Sequence, residues 1–222
     1  MATRPFDPAE VHARTERMYR PQRHIYDLTR KWYLLGRDRL HDGMEAWPGA
    51  RLLEIGCGTG RNLVRVGRRL PGVLLCGVEP ARSLLETAAR RLVRDRLDGR
   101  ARLAYGTAET LDPARNFGVE AFDHVVLSYC LSIIERPLPA LDRAIAALAP
   151  GGVLHLVDFD AMEGLPRWAA GAMRAWLDRF GARHRPEVWV ELGRRTARGE
   201  GRLERSRLAG GWAELARLHL PA

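Results

Sequence analysis

From residue 50 onward, short apolar runs alternate with longer amphipathic stretches. The runs at 51–55, 73–79, 101–105, 123–128 and 153–159 are brief and bounded by Gly, Pro or polar clusters, so they predict strands. Segments 60–70, 81–97 and 138–148 space their apolar residues as helices do. This alternation predicts βαβ units and an α/β fold with a doubly wound, mostly parallel sheet. Pro150-Gly151-Gly152 forms a predicted turn into the last of those strands. An amphipathic stretch at 166–180 and a helix from Pro186 to about Arg198 follow. Two further strands around Gly210-Gly211 predict an antiparallel hairpin, which brings the sheet to seven strands.

The first 47 residues have a different pattern. Asp7-Pro8-Ala9-Glu10 reads as a helix start, with Asp as cap and Pro at the first position. That helix runs to Arg20, and Pro21 ends it. A second predicted helix covers Gln22 to about Met44, with Ile25, Leu28, Trp32 and Leu35 on one side and Arg23, Arg30, Lys31, Arg37 and Arg39 between them. Trp47-Pro48-Gly49 closes this helical extension. The chain is thus expected to be one domain, 1–222, with residues 1–47 as a lid on a core of 48–222.

At 222 residues the chain can bury a sizeable core. No apolar run approaches the ~20 residues that span a bilayer. Met1 to Asp7 lack an apolar signal region, which argues against export and for a cytoplasmic location. Cys57, Cys76 and Cys130 have no metal-type spacing and read as buried thiols. The net charge of +9 is uneven: the middle, 48–166, has 15 basic and 14 acidic residues, whereas 167–222 has 12 and 6. Lys31 is the only lysine among 36 basic residues, so genome composition accounts for part of this bias. A basic face suited to an anionic surface accounts for the rest.

The chemistry concentrates at residues 52–60, Leu-Leu-Glu-Ile-Gly-Cys-Gly-Thr-Gly. Glycines at alternate positions after a strand describe a turn that brings backbone close to a ligand. The nicotinamide fingerprint G-x-G-x-x-G fails, because its third glycine position is Arg61. No Gly-Lys-Ser/Thr follows, so a P-loop also fails. The pattern E-x-G-x-G-x-G resembles motif I of the class I S-adenosylmethionine (SAM) methyltransferases. Independently of that resemblance, Glu79 ends the second strand, where such sheets place a carboxylate against ribose hydroxyls.

The resemblance implies cofactor contacts from Glu54, Gly56, Cys57, Gly58, Gly60 and Asn62 around the first loop, and from Glu79 and Pro80 after the second strand. Gly106-Thr107-Ala108-Glu109 resembles the segment that flanks adenine in this family, with Thr107 standing where Asp is frequent. It implies contacts from Thr107, Ala108 and Glu109. Ser128 and Tyr129 end the fourth strand and are expected to line the methyl-transfer zone, Ser128 also as a cofactor contact. A packing role for Tyr129 is the alternative. Asn-Pro-Pro-Tyr, found in methyltransferases acting on nucleobase amines, is absent, and no nucleic-acid partner is expected.

Residues 19–38, with Tyr26-Asp27-Leu28-Thr29-Arg30 and Leu34-Leu35-Gly36-Arg37, resemble the start of bacterial diacylglycerylhomoserine N-methyltransferases. The resemblance implies three methylations of a lipid-linked amine to a betaine lipid, at an anionic membrane surface. Tyr19, Tyr26 and Tyr129 are then the candidates to hold the amine, and Arg23 and Arg30 the candidates for its carboxylate. Tyr26 is also a candidate cofactor contact. Phosphatidylethanolamine N-methylation, RNA methylation and cofactor binding without catalysis are the alternatives.

Overall fold

The structure is a computed structural model and describes residues 6–19, 34–42 and 44–222, with the Tyr19 side chain outside that description. The strands are β1 (Arg51–Ile55), β2 (Leu74–Glu79), β3 (Ala101–Tyr105), β4 (Phe122–Ser128), β5 (Leu148–Phe159), β6 (Arg202–Leu208) and β7 (Ala213–His219). They form one sheet in the order β3-β2-β1-β4-β5-β7-β6. β1 to β5 run parallel, and β7 lies antiparallel between β5 and β6. The expected seven-stranded doubly wound sheet and its terminal hairpin are both present.

The helices are α1 (Pro8–Tyr19), α2 (Arg37–His41), α3 (Arg61–Arg69), α4 (Arg82–Arg94), α5 (Pro113–Phe117), α6 (Pro137–Ala146), α7 (Arg167–Asp178) and α8 (Pro186–Ala197). Period-two alternation assigns each strand residue to a layer. Leu53, Ile55, Val125, Leu127, Leu154 and Leu156 pack with α6 and α8 residues such as Leu141 and Leu192. Leu52, Val126 and Val157 pack with Leu40 of α2, Leu63 and Val66 of α3, and Leu177 of α7. By the same alternation Glu54 points to the α3 side.

Histidines occupy apolar positions on that second face. His124 and His155 are buried on adjacent strands, with Nδ1 of one 3.1 Å from Nε2 of the other. His41 of α2 is also buried. Burial holds His41 down to about 4 and lowers His124 and His155, so all three sit in the fold as neutral rings.

Three elements differ from the sequence expectation. The continuous helix over 22–44 is not found: within the described part the chain turns at 34–36, and only Arg37–His41 is helical. Gly36 causes this. It is left-handed (φ +78°), and a Cβ there would collide with Leu208. β5 begins early, at Leu148, so Pro150-Gly151-Gly152 lies inside it, where the register with β4 shifts. α5 was not anticipated. Asp112 caps it by accepting from Arg115 N at 3.0 Å, over a helix too short to show periodicity.

Candidate functional site

Beyond Ile55 the chain enters the glycine loop at the carboxyl ends of the strands. Gly56, Gly58 and Gly60 have φ of +71°, +53° and +73°, the left-handed region that penalises other residues. At Gly60 a Cβ would also lie 3.0 Å from Ala88 Cβ of α4. The loop is fastened to β2. Gly56 and Cys57 both donate to the Val78 carbonyl, at 2.9 and 3.1 Å, and Gly58 N donates to Glu79 Oε2 at 2.9 Å. Glu79 Oε1 accepts from Ala81 N at 3.0 Å, so one carboxylate joins the loop to the start of α4. Cys57 packs under the loop against Gly77, and burial pushes its thiol well up, so it stays neutral.

Glu54 lies beneath this loop and is 2% exposed. Asn62, in the first turn of α3, donates from Nδ2 to Glu54 Oε1 at 2.6 Å. Glu54 Oε2 is buried with no hydrogen-bond partner among the described residues. Burial drives the carboxyl up to about 8, opposed by the Asn62 bond and the nearby Arg37 charge. A buried acceptor left open beside a cleft is a position built for a donor that arrives with a ligand.

The cleft has a volume of about 360 Å³. Its lining includes Glu54, Gly56, Cys57, Gly58, Asn62, Glu79, Pro80, Thr107, Ala108, Glu109, Ser128 and Tyr129. Eleven of these twelve were expected as cofactor contacts, and Tyr129 as a transfer-site residue. Gly60 stands just behind, against α4. Thr107 turns its hydroxyl toward Thr110 Oγ1 at 3.2 Å, and Thr110 Oγ1 also accepts from Thr107 N at 3.1 Å. The Thr107 side chain is therefore spent on its own turn. Ser128 Oγ is buried with no hydrogen-bond partner among the described residues.

Tyr129 lines the cleft and also makes the packing contacts of the alternative reading. It is 3% exposed, has a left-handed backbone (φ +54°) and packs edge-on against Phe159 at 4.7 Å. Its N–H donates to Val157 O, and its hydroxyl donates to the Leu35 carbonyl. The phenol thus pins the 34–36 turn over the sheet. Tyr26, Arg23 and Arg30 lie outside the described residues, and so does the side chain of Tyr19.

Two features of the cleft escaped the sequence reading. Arg37 lines it while only 8% exposed, and its charge acts on both Glu54 and Tyr129. α1 roofs it. His12 Nδ1–H donates to the Pro80 carbonyl at 2.8 Å, and its ring stacks on Tyr105 at 4.1 Å. Glu16 accepts from Ser83 N at 3.2 Å at the start of α4, and Arg14 reaches Glu135 beyond β4 at 3.2 Å. Contacts made 67 to 121 residues apart leave no local signal.

Residues 53–154 match the family described as a methyltransferase domain. The nocamycin O-methyltransferase of Saccharothrix syringae is 30% identical over 205 residues, covering 88% of this chain and 71% of that protein. The chain belongs to the class I SAM-dependent methyltransferases. A ubiquinone/menaquinone biosynthesis C-methyltransferase of Cereibacter sphaeroides is 28% identical over 136 residues, 61% of this chain and 53% of that protein. The methyltransferase spans about half the length of the first curated relatives it matches. The plantazolicin methyltransferase BpumL, in complex with a triazolic analog and S-adenosylhomocysteine (SAH), superposes with a TM-score of 0.66 at 13% identity, covering 97% of this chain and 98% of that one. That likeness concerns the fold. Among the described residues no helix is long and apolar enough to cross a membrane, and no cluster suits a metal ion.

Proposed function

We propose that this methyltransferase binds the amino-acid end of SAM between Glu54 and Arg37 and transfers its methyl group to the amine of a lipid-linked homoserine. The unpartnered, buried Oε2 of Glu54 carries the cofactor part of this reading. SAM ends in an ammonium and a carboxylate, and Glu54 and Arg37 supply one buried anion and one buried cation. Glu79 lines the cleft at the end of β2, where a carboxylate suits the hydroxyls of a ribose. The backbone at Ala108 and the Glu109 side chain edge the adenine end. Bound there, SAM supplies an electrophilic methyl group on a sulfonium centre.

The chain's own residues position the acceptor and exclude water. α1 covers the cleft, and Tyr129 fixes the 34–36 turn that bears Leu34 and Arg37 along its wall. Holding amine and methyl in line supplies much of the acceleration in such transfers. The amine must be neutral to attack, so the site must take up its proton. The acceptor end offers Asp7, Glu10 and Glu135 beside Phe6, Ile133 and Ile134, which suits an amine on an apolar body. Tyr19 and Tyr26 are proposed to hold that amine, and Arg23 and Arg30 its carboxylate. The Tyr-Asp-x-Thr-Arg segment points to diacylglycerylhomoserine as the acceptor.

A second reading is O-methylation of a small molecule, favoured by the relative that is 30% identical across most of the chain. One experiment separates the two. The purified protein is given labelled SAM with liposomes of diacylglycerylhomoserine, with liposomes of phosphatidylethanolamine, or with a panel of phenols and carboxylic acids. Label in mono-, di- and trimethylated homoserine lipid is the expected result. Label only in phosphatidylethanolamine moves the acceptor to that lipid, and label only in the soluble panel overturns lipid methylation.

A further inference from the structure

We propose that the outer face of α7 is the surface on which this methyltransferase lies against an anionic lipid bilayer, an inference that rests on the lipid-acceptor reading. The inner face of α7 packs Ala170, Met173 and Leu177 into the core shared with Leu34, Tyr129 and Phe159. The opposite face presents Trp168, Gly171, Ala172 and Ala175, and Trp168 is 79% exposed. Spacings of three and four place these residues along one stripe. A helix face meant only for water carries charged residues along its centre. Here Arg167 and Arg174 stand at one edge, and Arg179 follows the last turn in line with the stripe.

Those arginines separate α7 from the other basic surface. The groove between α3 and α4 is also rich in arginine, yet Arg65, Arg68 and Arg69 are paired there with Asp38, Asp42 and Asp95. Arg167, Arg174 and Arg179 make no ion pair among the described residues, and Asp178, the only acidic residue of α7, faces Arg183 at 3.8 Å. Their charge is available to an anionic surface at no cost in broken pairs. An exposed tryptophan on an apolar stripe flanked by arginines matches the headgroup boundary of a bilayer, where the ring enters the interface and guanidinium groups meet phosphates. A nucleic acid would use the arginines and leave the apolar stripe uncovered.

The position relative to the cleft suits this occupant. The chain leaving α7 runs along the cleft wall, with Arg183 N donating to Ser132 O at 3.0 Å and Arg185 Nη2 to Ile134 O at 2.8 Å. Ile133 and Ile134 line the cleft. A bilayer under α7 therefore brings its headgroups beside that wall, and an acceptor amine can enter while its acyl chains stay in the membrane.

Co-sedimentation of the full chain, without SAM, tests this on vesicles of phosphatidylcholine alone and of phosphatidylcholine mixed with phosphatidylglycerol. Binding to the mixed vesicles, reversed by salt, is expected. Trp168→Ala should weaken it about ten-fold, and Arg167→Ala and Arg174→Ala about five-fold each. Arg65→Ala with Arg68→Ala should leave it unchanged. Trp168, Arg167, Arg174 and Arg68 are exposed and Arg65 is half-buried, and a thermal melt verifies that each variant folds. Three results overturn the proposal: no binding to mixed vesicles, α7 variants that bind like the parent, or loss of binding only in the α3–α4 variant. Retention of a single-stranded RNA with no vesicle binding also overturns it. Vesicle binding that depends on α7 with no lipid labelled leaves this surface standing and removes the acceptor. Labelling of diacylglycerylhomoserine in detergent micelles without vesicle binding does the reverse.

Discussion

Glu54 is ionisable, buried and only half satisfied, so its charge state and the cofactor's occupancy are coupled. Burial raises it from 4.5 to about 8, which favours the protonated form in the ligand-free fold. Its contribution to ligand-free stability is present at low pH and is lost as pH rises through that window. An ammonium in the cleft prefers the ionised carboxylate, so binding releases a proton below about pH 8. SAH affinity measured by calorimetry should rise between pH 6 and 8, with proton release seen in buffers of different ionisation heat. Glu54→Gln should flatten that dependence and weaken binding by about 1.5–3 kcal/mol, roughly 10- to 100-fold. An unchanged pH profile in the variant would remove Glu54 from the ammonium site. Tyr129→Phe probes a different role. It removes the bond to Leu35, so urea unfolding should show a loss of about 1 kcal/mol, with methyl transfer reduced but retained. Loss of transfer in a stably folded variant would instead place the phenol at the reaction. The glycine loop and Glu79 were legible in the sequence because their spacing follows from backbone geometry alone. Arg37 was not, because its burial depends on a turn at Gly36 that packs against Val157 and Leu208, both far along the chain.

At the scale of elements, α1 is a strap held at both ends of the cleft. His12 and Glu16 tie it to β2 and α4, and Arg14 ties it beyond β4. The Arg14–Glu135 pair is well exposed and contributes little. The His12 and Glu16 bonds reach backbone groups and restrain the strap more. His12→Ala with Glu16→Ala should raise the dissociation rate of SAH several-fold in stopped flow while leaving the thermal melt nearly unchanged. An unaltered rate would mean that α1 does not gate the cleft. The start of α1 was legible from Asp7 and Pro8, and Asp7 does accept from Ala9 N at 2.9 Å. Its docking was not, since the partners come from β2, α4 and the segment after β4. The predicted 22–44 helix shows the converse failure. Its periodic apolar residues predict a continuous helix, whereas in the described part the chain turns at Gly36, and residues 22–33 lie outside the described part.

For the whole molecule, the buried titratable groups set how the fold responds to pH. His41, His124 and His155 have depressed values, so the stability they confer is present above 6.5 and is lost as pH falls below it, through about 4 for His41. His41 alone corresponds to about 3 kcal/mol over that range. Glu54 and Asp158, raised to about 8 and about 6, act in the opposite sense. Urea unfolding of the ligand-free protein should therefore show maximal stability near pH 6.5, with an acid-side fall that Glu54 and Asp158 partly offset and a fall toward pH 8 that comes from Glu54. His41→Leu should reduce the acid slope by one proton's worth, and an unchanged slope would contradict the neutral buried ring. The sheet order was legible as a class from alternating strands and helices. The histidine row was not, because three polar residues distant in sequence meet only when β4, β5 and α2 assemble.

The fastening of the glycine loop to β2 bears on what the ligand-free protein does over minutes. The amides of Gly56, Cys57 and Gly58 already have acceptors in Val78 and Glu79. They should exchange their hydrogens with deuterated water slowly even without SAM, as core strand amides do, while the amides of α1 exchange fast and slow down only on loading. Most of the ordering entropy of loading then falls on the strap and the arriving molecule, because the loop is already ordered when it arrives.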